Sequence, residues 1–371
     1  MNQTIKSYIC LSQTLQHYLE INHVAYAITP WHAIGVDAAI RYLTDNGCPE
    51  GGVSVVLRHA KTGFCCRTDT FTNDDAYKFC LEGYVSSSKI RTILDYSSRI
   101  LILVRNFFRR KKKNFYIVGP WLEIPLTRLL LKKFFNRHIK LIVIDEGVAQ
   151  YMGTLQNESP QNSLKKRGRQ FFIYMGNTFI ANHFDSIDFR LMKKKNNQLF
   201  VNEIALPYYQ DVLRILSKKI NFNYLSEPLD NTFVICTTAW DRKQIQDNED
   251  LNLLKRICAH LHDKGYRLLL KTHPRDSFFS NFTDDLHCSL LDCGSIAMEV
   301  LCEKYRFRGI ISFSSTILIT ASVLFNIPTY CISDMLNRNK IGGTYLKEID
   351  AFKNTFGQMI TFVKNEDNVT W

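Results

Sequence analysis

The chain has 371 residues, of which 46% are hydrophobic and 22% charged, a composition that excludes wholesale disorder and fibrous repeats. At about 150 residues per domain, this length predicts two domains. The formal net charge is +12, from 47 basic and 35 acidic residues. Up to Tyr208 we count 28 basic and 16 acidic residues, and beyond it 19 of each, so the whole excess lies in the first half. Such a one-sided positive field favours an anionic partner.

The cysteine pattern and the hydropathy indicate a cytoplasmic protein. The eleven cysteines include no C-x-x-C pair, and Cys65 and Cys66 are adjacent, which is unlike a disulfide framework and favours a reducing compartment. The first 20 residues lack the apolar core of a signal peptide. The most apolar stretch, Gly309 to Ile332, is interrupted by polar residues and a proline, so it predicts a strand and a helix rather than a membrane span.

Strand-like and helix-like runs alternate along the first half, which predicts a parallel α/β architecture. The predicted strands are His23–Thr29, Val53–Leu57, Ile100–Val104, Phe115–Val118 and His138–Ile144, and the predicted helices are Pro30–Leu43 and Trp121–Phe135. The polar, basic residues from about 151 to 198 are predicted to be irregular, either as a mobile loop region or as a lid that contacts a substrate.

The second half repeats this alternation after a predicted helix at Tyr208–Ile220. Its predicted strands are Thr232–Cys236, Tyr266–Lys271, Gly309–Phe313 and Pro328–Ile332, and its predicted helices are Asn252–Lys264, Ile296–Tyr305 and the residues from Phe313 to about Phe325. We therefore predict an N-terminal domain at residues 1–208, a linker at 209–224 and a C-terminal domain at 225–371.

Ligands of open parallel sheets bind beyond the carboxyl ends of the strands, so the residues that follow each strand are the candidate site. The acidic pair Asp145-Glu146 follows the first-half strand HIKLIVI, and Gly147 permits a sharp turn there. Proximity and partial burial can raise the pKa of one carboxylate of such a pair and make it a general base. The alternative is a solvated turn that caps a helix.

Two further candidates follow strands of the second half. After YRLLLK, Pro274 restricts His273 to extended geometry, and Lys271 and Arg275 on either side favour an anion; a purely structural histidine is the alternative. After GIISF, the hydroxyl cluster Ser314–Thr316 leads straight into a helix, where it could bind a phosphate or could simply cap the helix.

Asp241, which follows the strand TFVIC and Thr237-Thr238, is an alternative base or a helix cap. We find no G-x-G-x-x-G or P-loop nucleotide motif and no convincing metal cluster. His260 and His262 are two apart on a helix and cannot chelate one metal together. The three motifs together predict a base opposite a phosphate-binding group, across a cleft between two domains.

In their order and spacing, Asp145-Glu146-Gly147, His273-Pro274 and Ser314-Ser315-Thr316 resemble the D/E-D/E-G, His-Pro and Ser-Ser/Thr motifs of bacterial polysialyltransferases and lipooligosaccharide sialyltransferases. The resemblance implies a GT-B fold with two Rossmann-like domains, and inverting transfer from a CMP-sialic acid donor without a metal or other cofactor. It implies that His273 assists the departure of CMP and that Ser314, Ser315 and Thr316 bind its phosphate. It further implies that the acidic motif deprotonates the acceptor hydroxyl or orders the loop that does, with Asp145, Glu146 and, alternatively, Asp241 as the candidate bases.

The resemblance places the donor site mainly in the second domain, with Gly147, Thr238, Lys271, Pro274 and Arg275 as further donor contacts. The basic first domain would then take an anionic or lipid-linked glycan of a capsule, O-antigen or lipooligosaccharide. Six of the nine residues from Arg105 to Lys113 are basic. This segment is predicted to be either a solvated loop or a site of attachment to the anionic cytosolic face of the inner membrane.

Three other functions remain open on sequence alone. A CMP-Kdo transferase or a CDP-glycerol glycerophosphotransferase would use a related fold and similar motifs. A basic nucleic-acid-binding protein is a different class; the absence of its usual motifs and the neutral second half argue against it, so we expect no nucleic-acid partner.

Overall fold

The structure is a computed structural model. It describes residues 23–48, 53–58, 67–72, 77–82, 115–120, 139–145, 147–152, 185–195, 198–219, 225, 228–238, 240–273, 278–293 and 296–369. The chain forms two compact units. Unit 1 comprises Met1–Glu146, Pro160–Lys193 and Asn202–Val212, and unit 2 comprises Gly147–Ser159, Lys194–Val201 and Leu213–Trp371. The units thus interleave along the chain, and the single-boundary division at residues 208 and 225 stays a prediction.

Unit 1 contains a six-stranded parallel sheet. Its strands are β1 (His23–Ala27), β2 (Val53–Arg58), β3 (Tyr77–Glu82), β4 (Phe115–Pro120), β5 (Ile139–Ile144) and β6 (Asp185–Asp188), in the spatial order β3-β2-β1-β4-β5-β6. This is the Rossmann order, which reverses between β1 and β4. Strand β5 is buried from Leu141 to Ile144, as expected of a parallel strand covered on both faces.

Helix α1 (Pro30–Asp45) follows β1 and shows why the chain turns there from strand to helix. Thr29 is its N-cap, with extended backbone and a side chain that accepts a hydrogen bond from the backbone N–H of His32. Pro30 suits the first turn because its missing N–H has no intrahelical partner to lose. The predicted bounds of this helix are confirmed within two residues.

Along the chain, the residues between β5 and β9 also form α2 (Ala149–Met152), a two-stranded sheet of β7 (Met192–Lys195) and β8 (Gln198–Val201), and α3 (Leu206–Lys219). The prediction of an irregular segment from 151 to 198 is wrong for β6 and β7. Strand β6 pairs with β5 at the edge of the sheet, from Asp185 opposite Lys140 to Asp188 opposite Val143. An edge strand needs only backbone pairing on one side, so its polar sequence (DSID) hides it from a hydrophobicity pattern.

Unit 2 repeats the strand order of unit 1. Its parallel strands are β9 (Thr232–Cys236), β10 (Arg267–Lys271), β11 (Ser289–Leu290), β12 (Gly309–Ser312), β13 (Thr329–Cys331) and β14 (Thr361–Phe362), in the order β11-β10-β9-β12-β13-β14. Its helices are α4 (Glu249–Asp263), α5 (Met298–Lys304), α6 (Thr316–Phe325) and α7 (Gly343–Phe356). Short 3-10 turns lie at Thr68–Thr70 in unit 1 and at Arg242–Gln244, Gln246–Asn248, Phe279–Phe282, Ser333–Met335, Arg338–Lys340 and Glu366–Val369 in unit 2.

The core of unit 2 forms around the central strand β9, all five residues of which are buried. Phe233 and Ile235 of this strand pack with Leu254 and Ile257 of α4 and with Ile311 of β12. The predicted strand and helix positions between residues 232 and 332 are confirmed, with ends that differ by a few residues. The predicted elements Ile100–Val104 and Trp121–Phe135 and the basic run from Arg105 to Lys113 lie outside the described residues. Among the helices that the structure does describe, none has both the length and the apolar character needed to cross a membrane.

Candidate active site

The candidate site lies in unit 2, where the strand order reverses between β9 and β12. Ligands of open parallel sheets bind in this position. The register pairs Cys236 of β9 with Lys271 of β10 and with Ser312 of β12, so the three neighbouring strands end at the same level. The residues that follow these strands are therefore brought together at one edge of the sheet. His273 and the Ser-Ser-Thr motif follow strands of this sheet, as predicted, and these strands, β10 and β12, lie on either side of β9.

Hydrogen bonds fix the chain where it leaves these strands. The backbone N–H of Thr237 donates to the carbonyl oxygen of Lys271 at 3.0 Å, and the backbone N–H of His273 donates to Thr237 Oγ1 at 2.9 Å. Ser312 Oγ donates to the carbonyl oxygen of Cys236 at 2.7 Å. The half-buried His273 is thus attached directly to the end of the central strand β9.

Three buried polar atoms at these strand ends have no hydrogen-bond partner in the part of the chain that the structure describes. They are Thr238 Oγ1, Trp240 Nε1 and Ser314 Oγ, and the Trp240 and Ser314 residues are each 6% exposed. A buried polar atom without a partner costs about 1–3 kcal/mol, so folded proteins rarely keep several together without a reason. Since no described residue uses them, these atoms are available to hydrogen bond a polar ligand at this edge of the sheet.

Trp240 was not among the residues that the sequence predicted. Its indole ring stacks on Tyr345 with centroids 5.3 Å apart and lies 5.0 Å from the ring of Phe313, the residue just before Ser314. The indole N–H can only donate, so it needs an acceptor such as a phosphate, carboxylate or carbonyl oxygen. In the sequence, the signal that could have identified Trp240 is its position four residues beyond the end of the buried strand β9.

Helix α6 presents its N-terminus to the same edge. Its N-cap residue is Ser315, which has extended backbone but a side chain that makes no capping hydrogen bond. The N-terminus of a helix carries a partial positive charge and backbone N–H groups that bind anions. Ser314 and Ser315 therefore retain the hydroxyl groups that the phosphate-binding prediction requires.

The third hydroxyl of this motif already has a contact within the protein. Thr316 Oγ1 accepts a hydrogen bond from the backbone N–H of Val148 at 3.3 Å. Gly147 lies against the same atom, because a Cβ added to Gly147 would be 3.0 Å from Thr316 Oγ1, and its φ of +112° also favours glycine. Within unit 2, the last residues of the first and third motifs are thus in contact.

Asp145 is a buried structural carboxylate in unit 1. It is 3% exposed, and its Oδ2 accepts a hydrogen bond from the backbone N–H of Leu191 at 3.2 Å. Its own backbone N–H donates to the hydroxyl oxygen of Tyr209 at 3.4 Å. Burial, followed by the nearby negative charge of Asp145, holds the pKa of Tyr209 well above its ordinary value, so Tyr209 stays a neutral phenol. The neighbouring residue Glu146 lies outside the described residues.

The remaining predicted residues differ in what they contact. Asp241 is exposed and caps a 3-10 turn, with Oδ1 accepting from the backbone N–H of Lys243 at 3.1 Å, while its own backbone N–H donates to the hydroxyl of Tyr345. Lys271 lies close enough to the buried Cys236 thiol to oppose the effect of burial, which raises the pKa of that thiol to about 12. Pro274 and Arg275 lie outside the described residues.

The fold and this strand edge define a class of protein. Two Rossmann-like units are the architecture of GT-B glycosyltransferases, which confirms the predicted fold class. The sequence model of the alpha-2,8-polysialyltransferase (POLYST) family matches residues 81–333, well over half of the chain. The protein therefore belongs to this family, and it is a sialyltransferase, as the motifs predicted.

Solved structures with a similar fold share little sequence with this chain. The alpha/beta-galactoside alpha-2,3-sialyltransferase of the luminous marine bacterium Photobacterium phosphoreum is 12% identical, with a TM-score of 0.48 over 92% of this chain and 98% of that one. The UDP-GlcNAc 2-epimerase of Methanocaldococcus jannaschii is 11% identical, with a TM-score of 0.48 over 92% and 93%. The wall teichoic acid polymerase TagF, as an H444N variant, is 12% identical, with a TM-score of 0.45 over 99% and 87%. No curated protein sequence matches the chain.

Proposed function

We propose that this protein transfers sialic acid from CMP-sialic acid to a hydroxyl group of an anionic bacterial surface glycan, with inversion at the anomeric carbon and without a metal ion. The main support for the proposal is a group of buried atoms at the strand ends of unit 2 that have no hydrogen-bond partner among the described residues, Thr238 Oγ1, Trp240 Nε1 and Ser314 Oγ. They lie where a parallel sheet binds the phosphate of a nucleotide, and all three can donate a hydrogen bond to its oxygens.

The phosphate of CMP is placed at the N-terminus of α6. There Ser314 and Ser315 supply hydroxyl donors, and the helix end supplies backbone N–H groups. His273 contributes a further donor from the end of β10, on the other side of β9. As the bond between the anomeric carbon and the phosphate oxygen breaks, negative charge grows on the phosphate, and donors already in place stabilise that charge. Protonation by a positioned imidazole is worth about 10²–10⁴-fold in rate.

The acceptor hydroxyl needs a base, and we assign this role to Glu146. Of the three acidic candidates, Asp145 is buried and hydrogen bonded to Leu191, and Asp241 caps a turn. The Glu146 carboxylate takes the proton of the acceptor hydroxyl as the acceptor oxygen bonds to the anomeric carbon. The electron pair of the broken bond leaves with CMP on the opposite face, so the configuration inverts.

The acceptor is proposed to be a capsular, O-antigen or lipooligosaccharide glycan, because the positive excess of the first half suits an anionic or lipid-linked chain. The basic run from Arg105 to Lys113 supports peripheral attachment to the anionic inner face of the membrane. Sedimentation with anionic vesicles at low salt tests this attachment. Binding that is lost with neutral vesicles supports it, and no binding to either kind contradicts it.

A donor panel tests the reaction itself. The full chain is incubated with CMP-sialic acid, CMP-Kdo or CDP-glycerol and an oligosialic acid acceptor, with and without EDTA, and the released nucleotide is measured. The proposal expects acceptor-dependent release of CMP from CMP-sialic acid that EDTA does not reduce. Turnover of CMP-Kdo or CDP-glycerol alone would assign a different donor, and inhibition by EDTA would contradict the metal-free mechanism.

A further inference from the structure

Thr237 lies between the central strand of unit 2 and the histidine that follows the adjacent strand. The residue is 4% exposed, and both of its described hydrogen bonds go to the segment that leaves β10. Its backbone N–H donates to Lys271, and its side-chain oxygen accepts from the backbone N–H of His273 at 2.9 Å. A buried threonine thus connects the end of β9 directly to the residue proposed to act on the donor phosphate.

The second of these bonds departs from regular parallel pairing. In a parallel ladder, a residue that donates to one carbonyl on the neighbouring strand accepts, through its own carbonyl, from the N–H two residues further along that strand. Since the N–H of Thr237 donates to Lys271, a continued ladder would bring the N–H of His273 to the backbone carbonyl of Thr237. The structure has the side-chain hydroxyl in that place. The pairing of β10 with β9 ends at this residue, and the chain at His273 follows the hydroxyl instead of the backbone.

We infer that Thr237 is a positioning residue for His273: its hydroxyl ends the β9–β10 ladder and sets where the imidazole stands relative to the strand ends that bind the donor. The inference rests on the proposed function, in which His273 contacts the leaving phosphate. Thr237 itself touches the backbone of His273 and needs no contact with the donor.

This arrangement explains why a hydroxyl is needed at a buried position. Valine has nearly the same shape as threonine but cannot accept a hydrogen bond, so the N–H of His273 must remain unpaired or move to the carbonyl of residue 237. The first change removes the bond that holds the backbone at His273 in place, and the second shifts that backbone together with the imidazole. A misplacement of about 1 Å at a catalytic group can cost about 10²-fold in rate.

Kinetics of three variants test the inference. Thr237→Val should lower kcat by about 10- to 100-fold while KM for CMP-sialic acid changes by less than about threefold, because positioning acts on the chemical step. Thr237→Ser keeps the hydroxyl and should retain most of the activity. Thr329→Val, at a buried threonine in β13 of the same sheet, is the matched control and should behave as wild type. Thermal denaturation shows whether each variant is folded, and Thr237→Ala replaces the valine variant if that one unfolds.

A double-mutant cycle separates positioning from general damage. In a His273→Ala background, Thr237→Val should change the residual rate by less than about twofold, because the group that it positions is already absent. An equal loss of rate in both backgrounds would overturn the inference. So would a folded Thr237→Val variant with wild-type kcat.

A second readout does not depend on turnover. The imidazole resonances of His273 are assigned by NMR from their absence in His273→Ala. They should move in Thr237→Val and stay in place in Thr237→Ser. Unmoved resonances in a folded valine variant would overturn the inference even if the wild-type protein transferred no sugar. If instead the wild type binds no CMP and turns over no donor while the resonances move as expected, the proposed function fails and the coupling between Thr237 and His273 stands.

Discussion

The two units share one strand order but differ in how their strand ends use hydrogen bonds. In unit 1, Thr29 caps α1 with its own side chain, and Asp145 at the end of β5 accepts from a backbone N–H. In unit 2, Ser315 precedes α6 without making a capping bond, and the buried hydroxyls of Thr238 and Ser314 have no partner among the described residues. The two units therefore share a topology but differ in whether the polar groups at these strand ends have partners among the described residues.

This difference shows that topology defines where a ligand can bind, whereas the use of hydrogen bonds indicates where one does. A strand end whose polar groups are satisfied by the protein serves folding, because removing one of them leaves its partner unpaired. A strand end whose groups have no partner within the protein has hydrogen-bonding capacity that a ligand can use. Among the described residues, unit 1 also has buried polar atoms without a hydrogen-bond partner, including Asp37 Oδ1 within α1 and Trp31 Nε1, on a ring 5.3 Å from that of Tyr209. The group of Thr238 Oγ1, Trp240 Nε1 and Ser314 Oγ in unit 2 differs in that all three follow neighbouring strands of one sheet.

The largest effect is expected from His273. His273→Ala should reduce kcat by about 10²–10⁴-fold, the range for loss of a general acid, because the leaving phosphate loses its imidazole donor. The variant should unfold within a few degrees of wild type, since the side chain is only half buried at a strand end. Steady-state transfer assays and thermal denaturation measure the two quantities, and near-normal turnover would remove His273 from the chemistry.

A comparable loss of rate is expected when Glu146 is replaced, whereas replacement of Asp145 is expected to lower stability. Glu146→Gln should lower kcat by about 10²–10⁴-fold in a protein of wild-type stability, because the amide cannot take the acceptor proton. Asp145→Ala should instead lower the free energy of unfolding by about 1–3 kcal/mol, because the buried N–H of Leu191 loses its acceptor. Urea unfolding and transfer assays on both variants distinguish these outcomes. An active Glu146→Gln enzyme would exclude Glu146 as the base.

The next effect concerns the dependence of the stability of unit 1 on pH. Burial raises the pKa of Asp37 from 3.8 to about 6, although the backbone N–H of Thr72 donates to its Oδ2 at 2.5 Å. The folded state therefore holds a proton that the unfolded state releases. This contribution to stability is complete below the unfolded pKa and is lost as the pH rises through the folded value.

Asp37→Asn should remove this loss of stability with rising pH, because the amide does not titrate. Relative to the variant, the wild type should lose about 2–3 kcal/mol of unfolding free energy between about pH 4 and pH 8. Urea unfolding of both proteins at the two pH values gives the difference. A difference independent of pH would show that the carboxyl of Asp37 titrates normally.

A smaller effect tests the unpartnered atoms of unit 2 directly. Ser314→Ala should weaken CMP binding by about tenfold, or about 1.4 kcal/mol, while the stability of the free protein stays within about 0.5 kcal/mol of wild type. Ser312→Ala is the matched control, because its hydroxyl is bonded to Cys236. It should lower stability by about 1 kcal/mol with little effect on CMP. The opposite pattern would show that Ser312, and not Ser314, binds the nucleotide.

The smallest effect belongs to the capped helix of unit 1. Thr29→Ala should lower the free energy of unfolding by about 1 kcal/mol, because the N–H of His32 loses its capping oxygen. CMP affinity, measured by calorimetry, should not change. A selective loss of CMP binding in this variant would show that the two units do not differ in the way described above.

Sequence patterns predicted most of the sheet because buried parallel strands are apolar throughout. The bounds of β9 were predicted to the residue, since TFVIC is a continuous apolar run. Strands β3 and β6 were missed, because YKFCLE and DSID mix charged residues with apolar ones and are defined by backbone pairing to β2 and β5. The last helix, α7, lies beyond the predicted elements.

The sequence predicted those candidate site residues that directly follow a recognisable strand. His273 and Ser314 were found because each follows a recognisable strand of the same sheet. The roles of Thr237 and Trp240 could not be predicted, because nothing in a sequence shows which atom accepts from the N–H of His273 or that an indole N–H is buried without a partner. Nor does an acidic pair reveal that Asp145 is buried and hydrogen bonded.

Isothermal titration of CMP, CDP, UDP and GDP into the 371-residue chain is the decisive test of the nucleotide site. We expect one site per chain that prefers CMP, with affinity reduced about tenfold in Ser314→Ala and unchanged in Thr29→Ala. Absence of CMP binding, or CMP binding that Ser314→Ala leaves intact, would contradict the claim that the strand ends of unit 2 hold the nucleotide.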